Sequence, residues 1–418
     1  MTESDRLNAV LQREAPAMAR LLSPLGRRAA FPQGIPWQAD QARHAEINAT
    51  IGQLTDGRGN PMPPTELSDG VTDLDPKLTW LYAPVEGPLP VRLAWLARQR
   101  RLAGAPAAQV SVPVASHGLT HSISLIASLF SSDDATLLVP SPAWENYELL
   151  FGLHASPTVK TWPFFAGKAL NVDGFAAALA RIPGKAIVVL NFPGNPSGYL
   201  PTTAEVDQLV AALCARAAPT LVVVDDAYQG WVYAEGRHPA SVFWALAERA
   251  DPERLAAVKV DGATKELLFF SSRVGFVTHT AHTAEADEAM LSKFKFVIRG
   301  TVGCPSGPAL ALIQRALAAG TLDDTFRARR AVLAGRWQRL ADGLVAAGVD
   351  HFPFNSAFFA LLPMPNGRSA EEVRLRLLHE HRVGAIAFPV ENQLRLAYCS
   401  LHEDDVPELV RRVARVLA

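Results

Sequence analysis

The sequence lacks most of the features that mark a secreted, membrane or nucleic-acid-binding protein. Its three cysteines, Cys214, Cys304 and Cys399, are scattered and show neither a metal-ligand spacing nor a disulfide framework. No run of about twenty apolar residues could span a bilayer, and the first residues show no basic segment followed by an apolar one. The formal net charge of −1 provides no general attraction for nucleic acid. We therefore expect a cytoplasmic protein without a metal site and without membrane or nucleic-acid partners.

Lysine is also scarce, because only eight of the 40 lysines and arginines are lysines. A lysine that directly follows a strand is therefore a candidate for a specific role. The 418 residues are 49% hydrophobic and 19% charged, which is typical of a globular protein with a sizeable core.

Strand-like and helix-like segments alternate from about residue 91. Short, nearly continuous apolar segments are typical of strands in a parallel sheet that is covered by helices on both faces. Seven candidates occur, at 111–115, 135–140, 157–162, 186–191, 220–225, 256–261 and 273–279. We therefore predict an α/β fold whose large domain contains a mostly parallel, seven-stranded sheet.

The two ends of the chain show a different pattern. Apolar spacing predicts a helix over residues 1 to about 30 and a long helical stretch from about 305 to 348. Strands at 357–362 and 393–398 and helices at 369–381 and 404–417 then predict a smaller α+β domain. The expected division is an N-terminal arm with part of the small domain at 1–55, a large domain at 56–305, and the C-terminal small domain at 306–418.

Chemically distinctive side chains follow the predicted strands. The segments are Asn191–Gly198 (NFPGNPSG), Val222–Tyr228 (VVVDDAY) and Asp261–Lys265 (DGATK), with Arg273 eight residues after the lysine. Open α/β sheets hold ligands beyond the carboxyl ends of their strands. An amide, a carboxylate, a tyrosine, a lysine and an arginine at such positions are what a pyridoxal phosphate site requires.

Lys265, Asp225, Tyr228 and Asn195 have defined roles in this hypothesis. A buried amine loses its charge readily and attacks an aldehyde, so Lys265 can bond to the cofactor. Asp225 can pair with a protonated pyridine nitrogen, and Tyr228 and Asn195 can hydrogen-bond the phenolic oxygen. Taken singly, a surface lysine, a helix N-cap, a packing tyrosine and an ordinary turn explain the same residues.

Other residues suit the phosphate and the ring. Gly118, Leu119 and Thr120 open a predicted helix after a strand, where backbone N–H groups favour an anion. Arg273 can bind phosphate with two N–H groups. Trp144 can stack on the pyridine ring, or it can be a core tryptophan.

Arg395 alternates with apolar residues on a predicted strand, and a charge in such a position requires a partner. One hypothesis is that its guanidinium binds the α-carboxylate of a substrate, with Asn355 steering the same group. The alternative is a structural ion pair with a nearby acid such as Glu391.

In their order and spacing, these motifs resemble those of the fold type I, class I/II aminotransferases, which include aspartate aminotransferase. The chain is most similar to a bacterial branch described as aspartate/tyrosine/phenylalanine aminotransferase-like, and the likeness extends over nearly the whole chain. Phe192 and Ser197 stand where the family usually has Pro and Thr, and Gly262 stands where it often has a phosphate-binding serine. The last departure places one phosphate contact in question, but not the cofactor.

The resemblance implies pyridoxal 5′-phosphate as the cofactor and a role for each site residue. The implied catalytic residues are Asp225, Tyr228 and Lys265, of which Lys265 bonds to the cofactor and moves the substrate proton. Residues implied in cofactor binding are Tyr82, Gly118, Leu119, Thr120, Trp144, Asn195, Asp225, Tyr228, Lys265 and Arg273. Residues implied in substrate binding are Gly52, Asn195, Arg299, Asn355 and Arg395.

The resemblance also implies a homodimer with shared active sites. Tyr82 is similar to the tyrosine that reaches the phosphate of the neighbouring subunit. Arg299 falls where dicarboxylate-specific members carry an arginine that binds the substrate side chain across the dimer, although an exposed or structural arginine explains it equally well. Gly52 ends a segment, Asn48–Gly52, that is similar to the one closing over bound substrate.

The implied function is an aminotransferase that exchanges an amino group between an amino acid and a 2-oxo acid by a ping-pong mechanism. The amino acid is expected to be aspartate or glutamate, or an aromatic one. β-Elimination (a carbon–sulfur lyase) and decarboxylation need the same lysine and the same ring electronics, so both stay open. A third alternative is a non-catalytic regulator that senses pyridoxal phosphate. Such regulators carry a DNA-binding region before this domain, and little of this chain precedes the arm segment.

Overall fold

The strands follow the predicted pattern closely in the computed structural model, which describes residues 2–14, 22, 34–69, 74–280, 283–365 and 367–418. In chain order they are β1 (Ile47–Asn48), β2 (Val114–Ser116), β3 (Thr136–Ser141), β4 (Thr158–Pro163), β5 (Phe165–Ala166), β6 (Ala169–Leu170), β7 (Ala186–Asn191), β8 (Thr220–Asp225), β9 (Leu255–Gly262), β10 (Gly275–His279), β11 (Phe359–Pro363), β12 (Val383–Gly384), β13 (Ile386–Phe388) and β14 (Gln393–Ala397). The predicted α/β fold class is confirmed.

Seven of these strands form one sheet in the spatial order β2-β10-β9-β8-β7-β3-β4. Neighbours from β9 to β4 are parallel, whereas β10 runs antiparallel to both β2 and β9. The register places Asn191 at the end of β7 beside Asp225 at the end of β8. Both strands are buried along their whole length. Their apolar residues therefore fill the core, and their polar last residues lie at the edge where such sheets bind ligands.

Helices cover the sheet and build much of the remaining structure. In chain order they are α1 (Glu3–Glu14), α2 (Ile35–Gln41), α3 (Thr65–Ser68), α4 (Pro76–Trp80), α5 (Leu89–Leu102), α6 (Gly118–Phe130), α7 (Asn146–Gly152), α8 (Val172–Ala180), α9 (Thr203–Cys214), α10 (Val242–Arg249), α11 (Ala263–Glu266), α12 (Ala284–Thr301), α13 (Gly307–Ala318), α14 (Leu322–Ala346), α15 (Ala370–His381) and α16 (Val406–Leu417). Within the described ranges, none of the helices has both the length and the apolar composition needed to cross a bilayer.

Two predicted helical stretches differ from the structure in extent. The N-terminal helix is confirmed as α1, while Met18 and Leu21 in its predicted second half lie outside the described residues. The stretch predicted from 305 to 348 is two helices, α13 and α14. Gly320 separates them because it adopts a φ of +77° just after α13, a conformation that ends a helix.

A three-stranded antiparallel sheet in the order β11-β14-β13 carries Arg395 on its central strand. The strand β1 pairs in parallel with β12. This pairing joins an early segment of the chain to a late one. One hydrophobic cluster includes Ile47, Ile126, Leu396 and Val413, and it is therefore continuous between the two sheets. The division of the chain at residues 55 and 305 stays a prediction.

Gly198, in the loop after β7, lies against the first residue of β11. Its carbonyl accepts backbone hydrogen bonds from Asn355 (2.9 Å) and Ser356 (3.0 Å), and its φ is +64°. A Cβ added at Gly198 would lie 2.0 Å from the carbonyl oxygen of Phe359. Only glycine suits this position, because both the backbone conformation and the available space exclude a side chain.

We expect Gly198→Ala to lower the free energy of unfolding by about 2 kcal/mol or more, since conformational strain and overlap with Phe359 act together. Gly184→Ala is the matched control, because Gly184 is exposed and nothing lies within 4 Å of a Cβ added there. Urea unfolding of both variants measures the difference. Equal stability of the two would contradict the role assigned to Gly198.

Candidate active site

A cavity of about 180 Å³ opens at the carboxyl ends of β7, β8 and β9. Its walls come from segments that are far apart in the sequence. Ten of the predicted site residues line it, namely Gly52, Leu119, Thr120, Trp144, Asn195, Asp225, Tyr228, Lys265, Arg273 and Arg395. The fold therefore brings these side chains together around a single space.

Asp225 lines this cavity, and its carboxylate accepts two hydrogen bonds. Tyr147 Oη donates to Asp225 Oδ2 at 2.6 Å, and the backbone N–H of Ala227 donates to Oδ1 at 3.0 Å. Burial raises the pKa of Asp225, while the Tyr147 bond and the positive charge of Lys265 oppose that rise. Two directed donors and a nearby cation thus favour the carboxylate form that a protonated ring nitrogen would need.

Tyr147 is a site residue that the sequence analysis missed. It is buried on α7, and its ring meets that of Trp144 edge to face at 5.4 Å between centroids. Trp144 lies just before α7, and its carbonyl accepts a backbone hydrogen bond from Tyr147 at 3.1 Å. No local pattern marks the bond from Tyr147 to the distant Asp225.

Lys265 lies on α11, the single helical turn that follows β9. Its Nζ is 5.6 Å from the centroid of the Tyr228 ring. Burial lowers the pKa of Lys265, the negative charge of Asp225 opposes this, and the positive charge of Arg273 adds to it. A lowered pKa increases the fraction of neutral amine, which is the nucleophilic form.

Tyr228 and Gly52 complete the wall beside Lys265. The Tyr228 ring is buried and packs edge to face against Phe359 at 5.6 Å. A Cβ added at Gly52 would lie 2.7 Å from Phe359 Cζ. Because residue 52 is glycine, the chain can pass this close to the Phe359 ring.

Arg273 and the start of α6 form the cationic end of the cavity. Gly118 has a φ of +79°, and a Cβ added there would lie 2.7 Å from Arg273 Nη2. The absence of a side chain at Gly118 thus lets the guanidinium approach the helix N-terminus. A guanidinium beside free backbone N–H groups is a favourable place for a phosphate.

Thr264 is a second residue that the sequence analysis missed. It lines the cavity, and its hydroxyl is buried without a hydrogen-bond partner among the described residues. The neighbouring Gly262 cannot be replaced by serine without a shift, because an added Cβ would lie 2.5 Å from the Val274 carbonyl oxygen. The Thr264 hydroxyl is therefore a candidate for the phosphate contact that Gly262 does not make.

Arg395 is buried, with 2% of its surface exposed, and its contacts are with neutral groups. Nη1 donates to Asn195 Oδ1 at 2.9 Å, and Nη2 donates to the Thr50 carbonyl at 2.8 Å. The guanidinium also lies 4.4 Å from the centroid of the Phe359 ring. These contacts fix its position. The negative charge of Glu145 attracts the guanidinium but makes no ion pair with it among the described residues.

The alternative ion pair between Arg395 and Glu391 is absent. Glu391 instead accepts a hydrogen bond from Ser141 Oγ. Among the residues with described positions, no carboxylate lies within 4 Å of Arg395, and its Nε has no partner. Burial lowers the pKa of Arg395 to about 10. A buried cation without a directly contacting carboxylate in the wall of a cavity favours binding of an anionic ligand.

Three predicted residues lie away from this cavity in a single chain. The Asn355 amide exchanges hydrogen bonds with the Leu200 backbone at 2.9 and 3.2 Å, so its polar atoms do not face the cavity. Arg299 is exposed on α12, and Tyr82 is 97% exposed. Because Arg299 and Tyr82 were expected to act across a dimer, their roles stay predictions.

The cavity residues fit pyridoxal phosphate. Asp225 suits the ring nitrogen, the amine of Lys265 suits the aldehyde, and Arg273 with the orphaned Thr264 hydroxyl suits the phosphate. Trp144 lines the same space, and its indole is suited to stacking on a ring.

Comparisons with known proteins agree with this geometry. Residues 50–413 match the model of the family described as aminotransferase class I and II. A probable N-succinyldiaminopimelate aminotransferase of Mycobacterium tuberculosis is 25% identical over 401 residues, which cover 89% of this chain and 94% of the relative. A histidinol-phosphate aminotransferase of Ralstonia nicotianae is 29% identical over 293 residues, which cover 69% of this chain and 70% of the relative.

Solved structures share the fold. An aminotransferase from Anaerococcus prevotii superposes with a TM-score of 0.84 at 20% identity, and the match covers 95% of this chain and 99% of that one. Aspartate aminotransferase from Thermus thermophilus with maleate gives a TM-score of 0.77 at 20% identity, with the same coverage.

We expect Tyr147→Phe to weaken the binding of pyridoxal phosphate about tenfold, because the Asp225 carboxylate loses a charge-assisted hydrogen bond. The loss should grow as the pH falls: without that bond the pKa of Asp225 is higher, so the carboxylate is protonated sooner. Tyr199→Phe is the control, since Tyr199 donates to Glu205 outside the cavity. Fluorescence titration of the cofactor-free protein measures the affinity, and equal affinities for both variants would contradict the assignment.

Proposed function

This chain belongs to the class I and II aminotransferases, and we propose that the cavity around Lys265 is where it exchanges an amino group between an amino acid and a 2-oxo acid. Enzymes of this family are pyridoxal-phosphate-dependent transaminases. The observation that carries the placement is the buried Arg395 guanidinium, which has no carboxylate in direct contact among the described residues and lines the same cavity as Lys265. A substrate carboxylate on Arg395 would present its amino group to the space that Lys265 reaches.

When bound, the cofactor supplies an electron-withdrawing ring that stabilises negative charge at the substrate Cα. In our proposal Asp225 holds a proton at the ring nitrogen, which keeps the ring electron-poor. Lys265 Nζ, with its lowered pKa, removes the proton from the substrate Cα and later returns one. Tyr228 and Asn195 would hold the phenolic oxygen.

The remaining residues hold and orient the cofactor and the substrate. The residues that we propose for the phosphate are Gly118, Leu119, Thr120, Thr264 and Arg273. Trp144 would stack on the ring, and with Ile35 and Phe359 it gives the cavity apolar walls. Such walls suit an aromatic or aliphatic side chain, and Arg299 from a second subunit would add recognition of a distal carboxylate.

We also propose a homodimer with shared active sites. The segment from α4 to the start of α5 exposes large apolar side chains, with Trp80 at 83%, Leu81 at 66%, Tyr82 at 97% and Leu89 at 53% exposure. Clustered exposure of this kind marks a protein contact surface.

A cytoplasmic location is supported by the three cysteines, all of which are free thiols.

We expect Lys265→Ala to reduce amino-group exchange about 10³-fold or more, because the residue that moves the substrate proton is lost. Lys168→Ala is the matched control, since Lys168 is exposed and pairs with Asp350. The assay follows cofactor absorbance while single amino acids and then a 2-oxo acid are added. Full exchange in Lys265→Ala would refute the proposal. If the unaltered enzyme releases pyruvate with ammonia, its reaction is elimination, and if it releases carbon dioxide, its reaction is decarboxylation.

Arg395 and Arg299 should affect different substrates. We expect Arg395→Gln to lower kcat/KM about 100-fold for both aspartate and phenylalanine, because every amino acid carries the α-carboxylate. Arg299→Ala should lower it about tenfold for aspartate alone, since only aspartate has a distal carboxylate. Steady-state kinetics with both substrates checks the difference. An equal loss on phenylalanine in Arg299→Ala would remove its role in specificity.

A further inference from the structure

A second cavity, of about 580 Å³, lies on the other side of the turn that carries Lys265. It shares no lining residue with the reaction cavity. We name it the arginine cleft after the five arginines in its wall, Arg98, Arg101, Arg237, Arg327 and Arg330. They come from α5, from the loop between β8 and α10, and from the first turns of α14.

The wall of the arginine cleft has an excess of positive charge. Three acids line it beside the five arginines, Glu235, Glu266 and Asp323, and Arg327 pairs with Asp324 outside the lining, so the formal balance is five minus four, or +1. Arg98 pairs with Glu266 and Asp323, and Arg101 also pairs with Asp323. Two of the acids are therefore already neutralised by two of the arginines.

The excess charge resides on Arg237 and Arg330. Arg237 Nη1 donates to Tyr199 Oη at 3.3 Å, but its buried Nε has no partner among the described residues. Within the same described ranges, Arg330 makes no ion pair, and the exposed Glu235 lies more than 4 Å from every cationic side chain. The guanidiniums of Arg237 and Arg330 are thus available to a ligand.

We propose that the arginine cleft binds a small polyanion, either a phosphate ester or a polycarboxylate with at least two negative charges. Guanidinium groups bind both kinds of oxyanion with paired N–H donors. Two free cations in one concave wall favour a ligand that carries more than one charge. The site is separate from amino-group exchange and does not depend on the substrate proposed above.

The arginine cleft is directly connected to the turn that carries Lys265. Glu266, which lines the cleft, is the next residue in the chain. Phe326, also in the wall, packs against Trp231 at 4.8 Å between ring centroids, and Trp231 Nε1 donates to the Lys265 carbonyl at 3.1 Å. A bound anion would therefore lie next to Phe326, which packs against the tryptophan that holds the Lys265 carbonyl.

Calorimetric titration of the holoenzyme with citrate and, separately, with pyrophosphate tests the proposal. We expect at least one probe to bind the unaltered holoenzyme with a Kd of about 1 mM or tighter. Arg237→Gln/Arg330→Gln should weaken that binding about tenfold or more. Arg327→Gln is the matched control and should change it less than about twofold, because Arg327 is exposed and paired with Asp324. Binding of citrate alone would identify a polycarboxylate site, of pyrophosphate alone a phosphate-ester site, and of both a general polyanion site.

The reaction cavity also attracts anions, so a further variant separates the two sites. Binding to the arginine cleft should persist in Arg395→Gln. The proposal fails if neither probe binds the holoenzyme at about 10 mM. It also fails if the double variant binds as tightly as the unaltered protein, or if Arg395→Gln alone removes binding. If the double variant is less stable in a thermal melt without anion, the single variant Arg330→Gln tests the proposal instead. Its affinity for the probe should fall about fivefold.

Discussion

The burial of charges that are only partly neutralised is the constraint on which this site depends. Asp225 and Arg395 are almost fully enclosed, and Lys265 is largely shielded. Burial raises the pKa of Asp225 and lowers those of Lys265 and Arg395. In each case the charged form lacks the solvation that water would supply. A cofactor with a cationic ring nitrogen and an aldehyde, together with the carboxylate of a substrate, would satisfy all three groups.

The sheet beneath the cavity keeps these groups in place through a buried ionic cluster. Lys259 pairs with Asp261 and lies 3.4 Å from Asp226, the residue after Asp225. Trp95 Nε1 donates to the other oxygen of Asp261 at 3.0 Å. Removal of one partner from such a cluster would leave an unpaired buried charge, so the cluster links β9 to the residue that follows β8, next to the site.

Much of this arrangement follows from local sequence, and the rest depends on distant partners. The sheet strands were predictable because each is a short apolar run, and the motif residues were predictable because they follow those runs. Tyr147 and Thr264 escaped prediction because their roles arise from Asp225 and from a cavity wall that no local pattern describes. Asn355 was predicted to face a substrate, yet its amide satisfies the Leu200 backbone.

The hydrogen bond from Arg395 to Asn195 joins residues two hundred positions apart. One belongs to the α-carboxylate site that we propose and the other to the loop that we propose holds the cofactor. Their contributions cannot be independent, because losing the amide of Asn195 leaves Arg395 with one fewer neutral acceptor and more freedom to turn away. Among homologous chains, the residues at these two positions should therefore co-vary.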